Sequence, residues 1–230
     1  MNGARDPGVL LGAGAVALLL RQRRPMLMVD FVTSFERVPV PTLTAGRHIS
    51  ANEIFFEGHF PGLPLWPAAL TMEGLGQAAA ILAVLTELTR PAGGAAAGTE
   101  ASEEAGAAGV ASSGVKPAEA TDTAGGLQAV LESLRNLDRG YRFHPGYQPE
   151  AAARMLSRLR GREVPLAVAA SVDLKFLRPV FPGCRLDYRV KWTTTVGDLM
   201  RFSVEATVDA EPVARGTLTG GRISASLPPY

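Results

Sequence analysis

The chain has one cysteine and three histidines among 230 residues. A single thiol, Cys184, cannot form an internal disulfide, and alone it cannot hold a metal. This fits a reducing compartment, so the expected location is cytoplasmic. Charge of one sign is equally scarce in excess: 23 basic side chains face 22 acidic ones, for a net charge of +1. Nothing global therefore draws the chain to nucleic acid or to an anionic membrane. The apolar run at residues 9–20 (VLLGAGAVALLL) is too short for a bilayer, which takes about 20 residues. Only Arg5 precedes it, and Arg21, Arg23 and Arg24 close it where an export signal would show a small-residue cleavage site. Residues 1–23 are expected to be a buried N-terminal helical segment rather than an export signal, with membrane association through it left open as the alternative.

Composition changes abruptly after Arg90. Residues 91–126 are nearly all Ala, Gly, Ser, Thr and Glu, with no aliphatic side chain larger than Val. Such a segment buries too little apolar surface to offset its conformational entropy, and disorder is expected. A helical face follows at Leu127, Val130, Leu131, Leu134 and Leu137. A second short helix starts at Pro149, a good first-turn residue, and stops at Gly161. Residues 127–163 thus form a helical insertion, read as a lid over the substrate tunnel.

The rest, residues 24–90 and 164–230, reads as one sheet-rich domain. Strand-like runs occupy 27–35, 43–49 and 167–176. Leu186, Tyr188, Val190 and Trp192 then alternate with Arg185, Asp187, Arg189 and Lys191. After Gly197-Asp198 the alternation resumes through Met200, Phe202, Val204, Ala206 and Val208, and a last strand covers 213–223. Between the strand groups lies 67–85 (PAALTMEGLGQAAAILAVL), a helix by its proline start and alanine content. It is apolar nearly all round, so burial on every side is expected. A long helix wrapped by an antiparallel sheet is an α+β layout, that of the hotdog fold.

Two features of that helix are costly. Glu73 is a carboxylate among apolar residues, where an unpaired charge is heavily penalised. Gly74 and Gly76 each cost about 1 kcal/mol relative to Ala in a helix interior. Gln77, four residues after Glu73, shares its face and can hold the carboxylate by a hydrogen bond. Just upstream, His59 sits in a stiff loop of aromatic, Gly and Pro residues. Such a setting keeps an imidazole neutral, as a base requires. His and Glu in a loop feeding directly into a helix point to acid/base chemistry.

The stretch FFEGHFPGLPLWPAALTMEGLGQ (55–77) closely resembles the signature of the β-hydroxyacyl-acyl-carrier-protein dehydratases of bacterial fatty-acid synthesis. In that family a GHFPG loop is followed by Pro and by a helix whose acid lies fourteen positions after the His, as Glu73 does after His59. RPMLMVDFV (24–32) and FLRPVFPGCRL (176–186) resemble further family segments. The resemblance implies a hotdog homodimer, or a larger assembly of such dimers, that dehydrates a β-hydroxyacyl thioester to a trans-2-enoyl thioester, in fatty-acid or related polyene or polyketide synthesis. The substrate would ride on the phosphopantetheine of an acyl carrier protein, with no metal or organic cofactor. By the same implication His59 is the base and Glu73 of the partner subunit the acid. Gly58, Phe60, Gly62, Trp66, Ala68 and Gln77 would shape the substrate and oxyanion site, with N–H donors at the helix start around Ala68.

The chain departs from the family pattern in carrying Pro67-Ala68 where Pro-Gly is usual, and a methyl there crowds the thioester. Trp66 also replaces a more flexible residue, and it either lines the acyl tunnel or packs at the dimer seam. His144 and His48 read as solvated residues, and Arg135, Arg139 and Arg142 as a solvated helix face. Two alternatives stay open: a hotdog acyl thioesterase, and a catalytically silent acyl-binding subunit.

Overall fold

The computed structural model describes residues 8–90, 120–160 and 166–223. The expected disorder of 91–119 lies outside them. In chain order come α1 (Ala13–Leu19), β1 (Phe31–Glu36), β2 (Thr42–Ile49), α2 (Ala68–Leu88), α3 (Ala120–Tyr141), α4 (Pro149–Arg160), β3 (Leu166–Phe176), β4 (Cys184–Val196), β5 (Leu199–Val208) and β6 (Glu211–Ile223). The strands form one sheet in the order β1-β2-β4-β5-β6-β3, every neighbouring pair antiparallel. Helix α2 lies chiefly against β4, with β2, β5 and β3 around it. This is the hotdog fold.

The alternation in β4 and β5 sends Leu186, Tyr188, Val190, Met200, Phe202, Val204 and Ala206 into the core beside Leu75, Ile81, Leu82 and Leu85 of α2. Trp192 is only half-buried, because the register slips between Trp192 and Thr194. Strand β1 starts at Phe31, later than the apolar run at 27 implies. The reason is visible in the preceding backbone: the Met28 N–H donates to the Gln77 side chain and the Leu27 carbonyl accepts from Arg47. Side chains satisfy these groups in place of a strand ladder.

Helix α2 begins where Pro67, extended at φ −61°, gives way to Ala68. It is long and apolar enough to cross a membrane, yet it is the core helix of the sheet. The expectation that it is buried on every side needs correction. Ala68, Ala69, Met72 and Gly76 are exposed in the single chain, and a Cβ on Gly76 would meet nothing within 4 Å.

The apolar N-terminal run is partly helix and partly edge. Ala15, Val16 and Leu19 of α1 are buried, while Leu10 and Leu11 pair with Val32 on the outer side of β1. Helix α3 begins at Ala120 rather than near Leu127, and it buries Val130, Leu131, Leu134 and Leu137. It packs on α4 and α1. The Arg158 guanidinium of α4 donates to the Leu88 carbonyl at the C-terminal end of α2.

Candidate active site

A short 3-10 turn, Ile54–Glu57, ends on Gly58, and the His59 N–H donates to the Phe55 carbonyl at 3.1 Å. Phe60 and Leu63 then exchange two backbone hydrogen bonds, both 2.9 Å, around Gly62. Gly62 has φ +80°, a conformation that favours glycine. The Leu65 N–H donates back to the His59 carbonyl, so the loop closes on the histidine itself.

The ring is held as firmly as the backbone. His59 Nδ1 lies 2.8 Å from the Leu65 carbonyl oxygen. A carbonyl can only accept, so Nδ1 carries a proton, and in the uncharged form of the ring the lone pair lies on Nε2. The Phe60 ring stacks on the imidazole with centroids 4.2 Å apart. His59 borders a cavity of about 350 Å³ that Leu65, Trp66, Ala68, Thr71, Val213 and residues 176–180 complete.

Trp66 is buried at the base of this loop. Phe55 meets it edge-on at 5.9 Å, Phe56 lies at 6.1 Å, and the Arg47 guanidinium covers its face at 5.3 Å. Arg47 is itself tied to Glu53 at 2.7 Å. Ala68 is exposed at the cavity and already helical, so its conformation does not demand glycine. The N–H groups of Leu70 and Thr71 turn back to the Pro67 carbonyl. Those of Ala68 and Ala69 have no acceptor among the described residues, as expected of a first helical turn.

Glu73 is half-buried on another side of α2. Its Oε1 accepts from Gln77 Nε2 at 2.8 Å and from Gln22 Nε2 at 3.3 Å. The orientation of the Gln77 amide is fixed from outside. Its oxygen takes the Met28 N–H at 2.7 Å and its nitrogen also donates to the Met26 carbonyl at 2.6 Å. Gln77 therefore holds the carboxylate as its spacing predicts. Gln22 was not foreseen; it lies 51 positions away and no local pattern links the two.

The structure does not bring His59 and Glu73 together within one chain. No hydrogen bond or ion pair joins them among the described residues, and Glu73 does not line the cavity. At 3.6 residues per turn, Glu73 lies about 140° round α2 from Ala68. The exposed stripe of Ala68, Ala69, Met72 and Gly76 fills the interval.

Other sequence expectations sort as follows. His48 and His144 are exposed, and the His144 ring only takes the Gly146 N–H in its own turn. Arg142 is exposed as expected, while Arg135 is only partly so: its Nε donates to the Leu10 carbonyl, and Arg139 pairs with Glu132 at 2.6 Å. Cys184 has its thiol pKa raised, first by burial and then by Asp209. No cluster of His, Cys, Asp and Glu suited to a metal occurs among the described residues. None of the described insertion residues lines the cavity; the insertion sits against α1 and the C-terminal end of α2. Arg178, at the cavity rim and paired with Glu211, is a lining residue the sequence reading passed over.

Residues 20–108 match the FabA-like domain family. That match, to under half of the chain, agrees with the fold and with the loop-and-helix placement of His59 and Glu73. A 3-hydroxyacyl-acyl-carrier-protein dehydratase FabZ of Neisseria meningitidis is 46% identical over 82 residues, covering 36% of this chain and 54% of the relative. One from Myxococcus xanthus is 46% identical over 78 residues, covering 34% and 50%. The chain thus spans about half the length of the curated relatives it matches. Among solved structures, the dehydratase heterocomplex ApeI:P from Xenorhabdus doucetiae aligns over 91% of both chains with a TM-score of 0.48 and 10% identity.

Proposed function

We propose that this protein is a 3-hydroxyacyl-acyl-carrier-protein dehydratase, a hydro-lyase that removes water from a β-hydroxyacyl thioester to give a trans-2-enoyl thioester. The observation that carries the reading is the state of His59: Nδ1–H is bonded to the Leu65 carbonyl, and the basic Nε2 is left to the substrate. Nε2 takes the α-proton. Negative charge that develops on the thioester oxygen is met by the free N–H groups at the start of α2, in the positive field of the helix N-terminus. The C–O bond breaks as Glu73 Oε2 delivers a proton to the departing hydroxyl, and water leaves.

The acid comes from a second copy of the chain. The exposed stripe of α2 is bordered by the His59 cavity on one side and by Glu73 on the other. Two such stripes packed across a two-fold axis set each Glu73 towards the other copy's His59. The apolar surface nearby supports this pairing: Leu63, Val172, Phe176, Leu177 and Phe181 are 40–54% exposed, and β3 is a sheet edge eleven residues long. Arg178 at the rim suits the phosphate of a carrier-bound phosphopantetheine. No cofactor enters this scheme.

The test is turnover of a short β-hydroxyacyl thioester on carrier protein by wild type, His59→Ala and Glu73→Ala. Activity that falls at least about a hundredfold in each variant is expected. A wild type that binds acyl carrier but never turns over sinks the proposal, and hydrolysis of the thioester in place of dehydration would make the protein a thioesterase.

A further inference from the structure

The insertion is built into the protein at a distance from the cavity, yet a continuous set of contacts leads from it to Glu73. Asp138 of α3 takes the Gly12 N–H on Oδ2 at 2.6 Å and the Ala15 N–H on Oδ1 at 2.8 Å. These are first-turn donors of α1, which Gly12 cannot cap from its own side chain. Arg135 of α3 holds the Leu10 carbonyl just ahead. Helix α1 has seven residues, well below the roughly 12–15 at which an isolated helix becomes even marginal. Its order therefore depends on what it touches. Beyond α1, Arg23 Nη1 gathers the carbonyls of Leu20, Arg21 and Gln22 into a fixed turn. From that turn Gln22 reaches Glu73 Oε1.

We infer that the helical insertion positions the catalytic acid, through the Asp138 cap on α1 and the Gln22 amide on Glu73. This rests on the dehydratase reading for its catalytic consequence. Gln77 and Gln22 donate to the same oxygen, Oε1, so the proton that is delivered resides on Oε2. As it leaves, the two amides stabilise the carboxylate that forms. Asp138 and Gln22 are positioning residues; neither lines the cavity. The polar groups facing Glu73 are Gln77 from its own helix and Gln22 from the N-terminal segment. Among the described residues no cation of the helices or strands lies within ion-pair distance of it, and Arg23 is occupied by carbonyls.

The experiment uses the full chain and compares wild type with Asp138→Ala, Gln22→Leu and the double variant. Loss of a donor to a carboxylate disfavours its charged form, so kcat falls about tenfold at unchanged KM and the alkaline limb of kcat moves up by about one pH unit, while the acid limb stays. The double variant matches the single ones, since both break one connection. Asp138→Asn, which keeps one acceptor, restores most of the kcat. Additive losses, or a changed acyl-length preference with an unmoved alkaline limb, overturn the inference. Carbon-13 titration of the Glu73 carboxyl is run beside the kinetics. Its midpoint rises in Gln22→Leu and Asp138→Ala if the connection exists, even should the wild type turn over no thioester. An unmoved midpoint in Asp138→Ala, with thermal unfolding showing the fold intact, rejects the connection whatever the activity.

Discussion

Tyr188 of β4 occupies the space that a side chain on Gly74 of α2 would need. A Cβ built on Gly74 would collide with the Tyr188 hydroxyl and ring carbons. The glycine one position after Glu73 is thus a packing requirement of the strand beneath it. Gly74→Ala is expected to destabilise the protein by about 1–3 kcal/mol through overpacking. Tyr188→Leu in the same chain withdraws the ring and recovers part of the loss. Urea unfolding of the two singles and the double measures the coupling; strictly additive costs would show that the two residues do not compete for one volume.

The same tyrosine is fully buried and its hydroxyl has no partner among the described residues. Burial raises its pKa far above the ordinary 10.0. The folded protein thus keeps a proton that the unfolded chain releases. This contribution is complete below pH 10.0 and is lost as pH rises beyond it. Tyr188→Phe is expected to be neutral or to stabilise by about 1 kcal/mol at neutral pH. It should also flatten the fall in stability from about pH 10 upward. Unfolding midpoints across that range decide it, and a wild-type slope that survives in the variant refutes it.

Arg47 is 8% exposed and depends on Glu53 for its charge. Glu53→Ala leaves the buried guanidinium only the more distant Asp30 carboxylate, 4.0 Å away, and is expected to cost about 3 kcal/mol. Replacing the pair by Met and Leu costs less, because no charge is stranded. Equal costs by chemical denaturation would mean that the ion pair itself is the source of stability. Both variants also loosen the support under Trp66, so a fall in activity accompanies the loss.

Gly216 of β6 lies where a Cβ would run into the Asp173 backbone of β3. Gly216→Ala is expected to push β3 away from β6 and to weaken the sheet at its open edge by more than about 1 kcal/mol. Sedimentation read beside thermal unfolding separates the local effect from pairing. A variant that keeps both wild-type stability and wild-type mass would show that the strands relax freely.

The elements that follow from side-chain period were legible in advance. The alternation from Leu186 to Trp192, the proline start of α2 and the apolar face of α3 all appear in the structure. So does the Glu73–Gln77 hydrogen bond, because four residues along a helix is a local relation. What escaped was set by tertiary contact. Gln22 finds Glu73 and Asp138 finds α1 across long stretches of chain, and no periodicity encodes either. The exposed stripe of α2 escaped for another reason: an apolar sequence is silent on whether its cover comes from the same chain. Leu27 and Met28 have strand composition, yet the Leu27 carbonyl goes to Arg47 and the Met28 N–H to Gln77.

The sheet has two ends, and they differ. At β1 the outer side is occupied by Leu10 and Leu11 bonding to Val32, with α1 and the insertion behind them. At β3 no described strand pairs with the outer side. A sheet with one open border has a valence of one for strand addition, so growth through β3 would stop after a single joining. In such an assembly the run at Leu10 and Leu11, by plugging the other end, would work against the open-ended filaments that a sheet with two sticky borders invites.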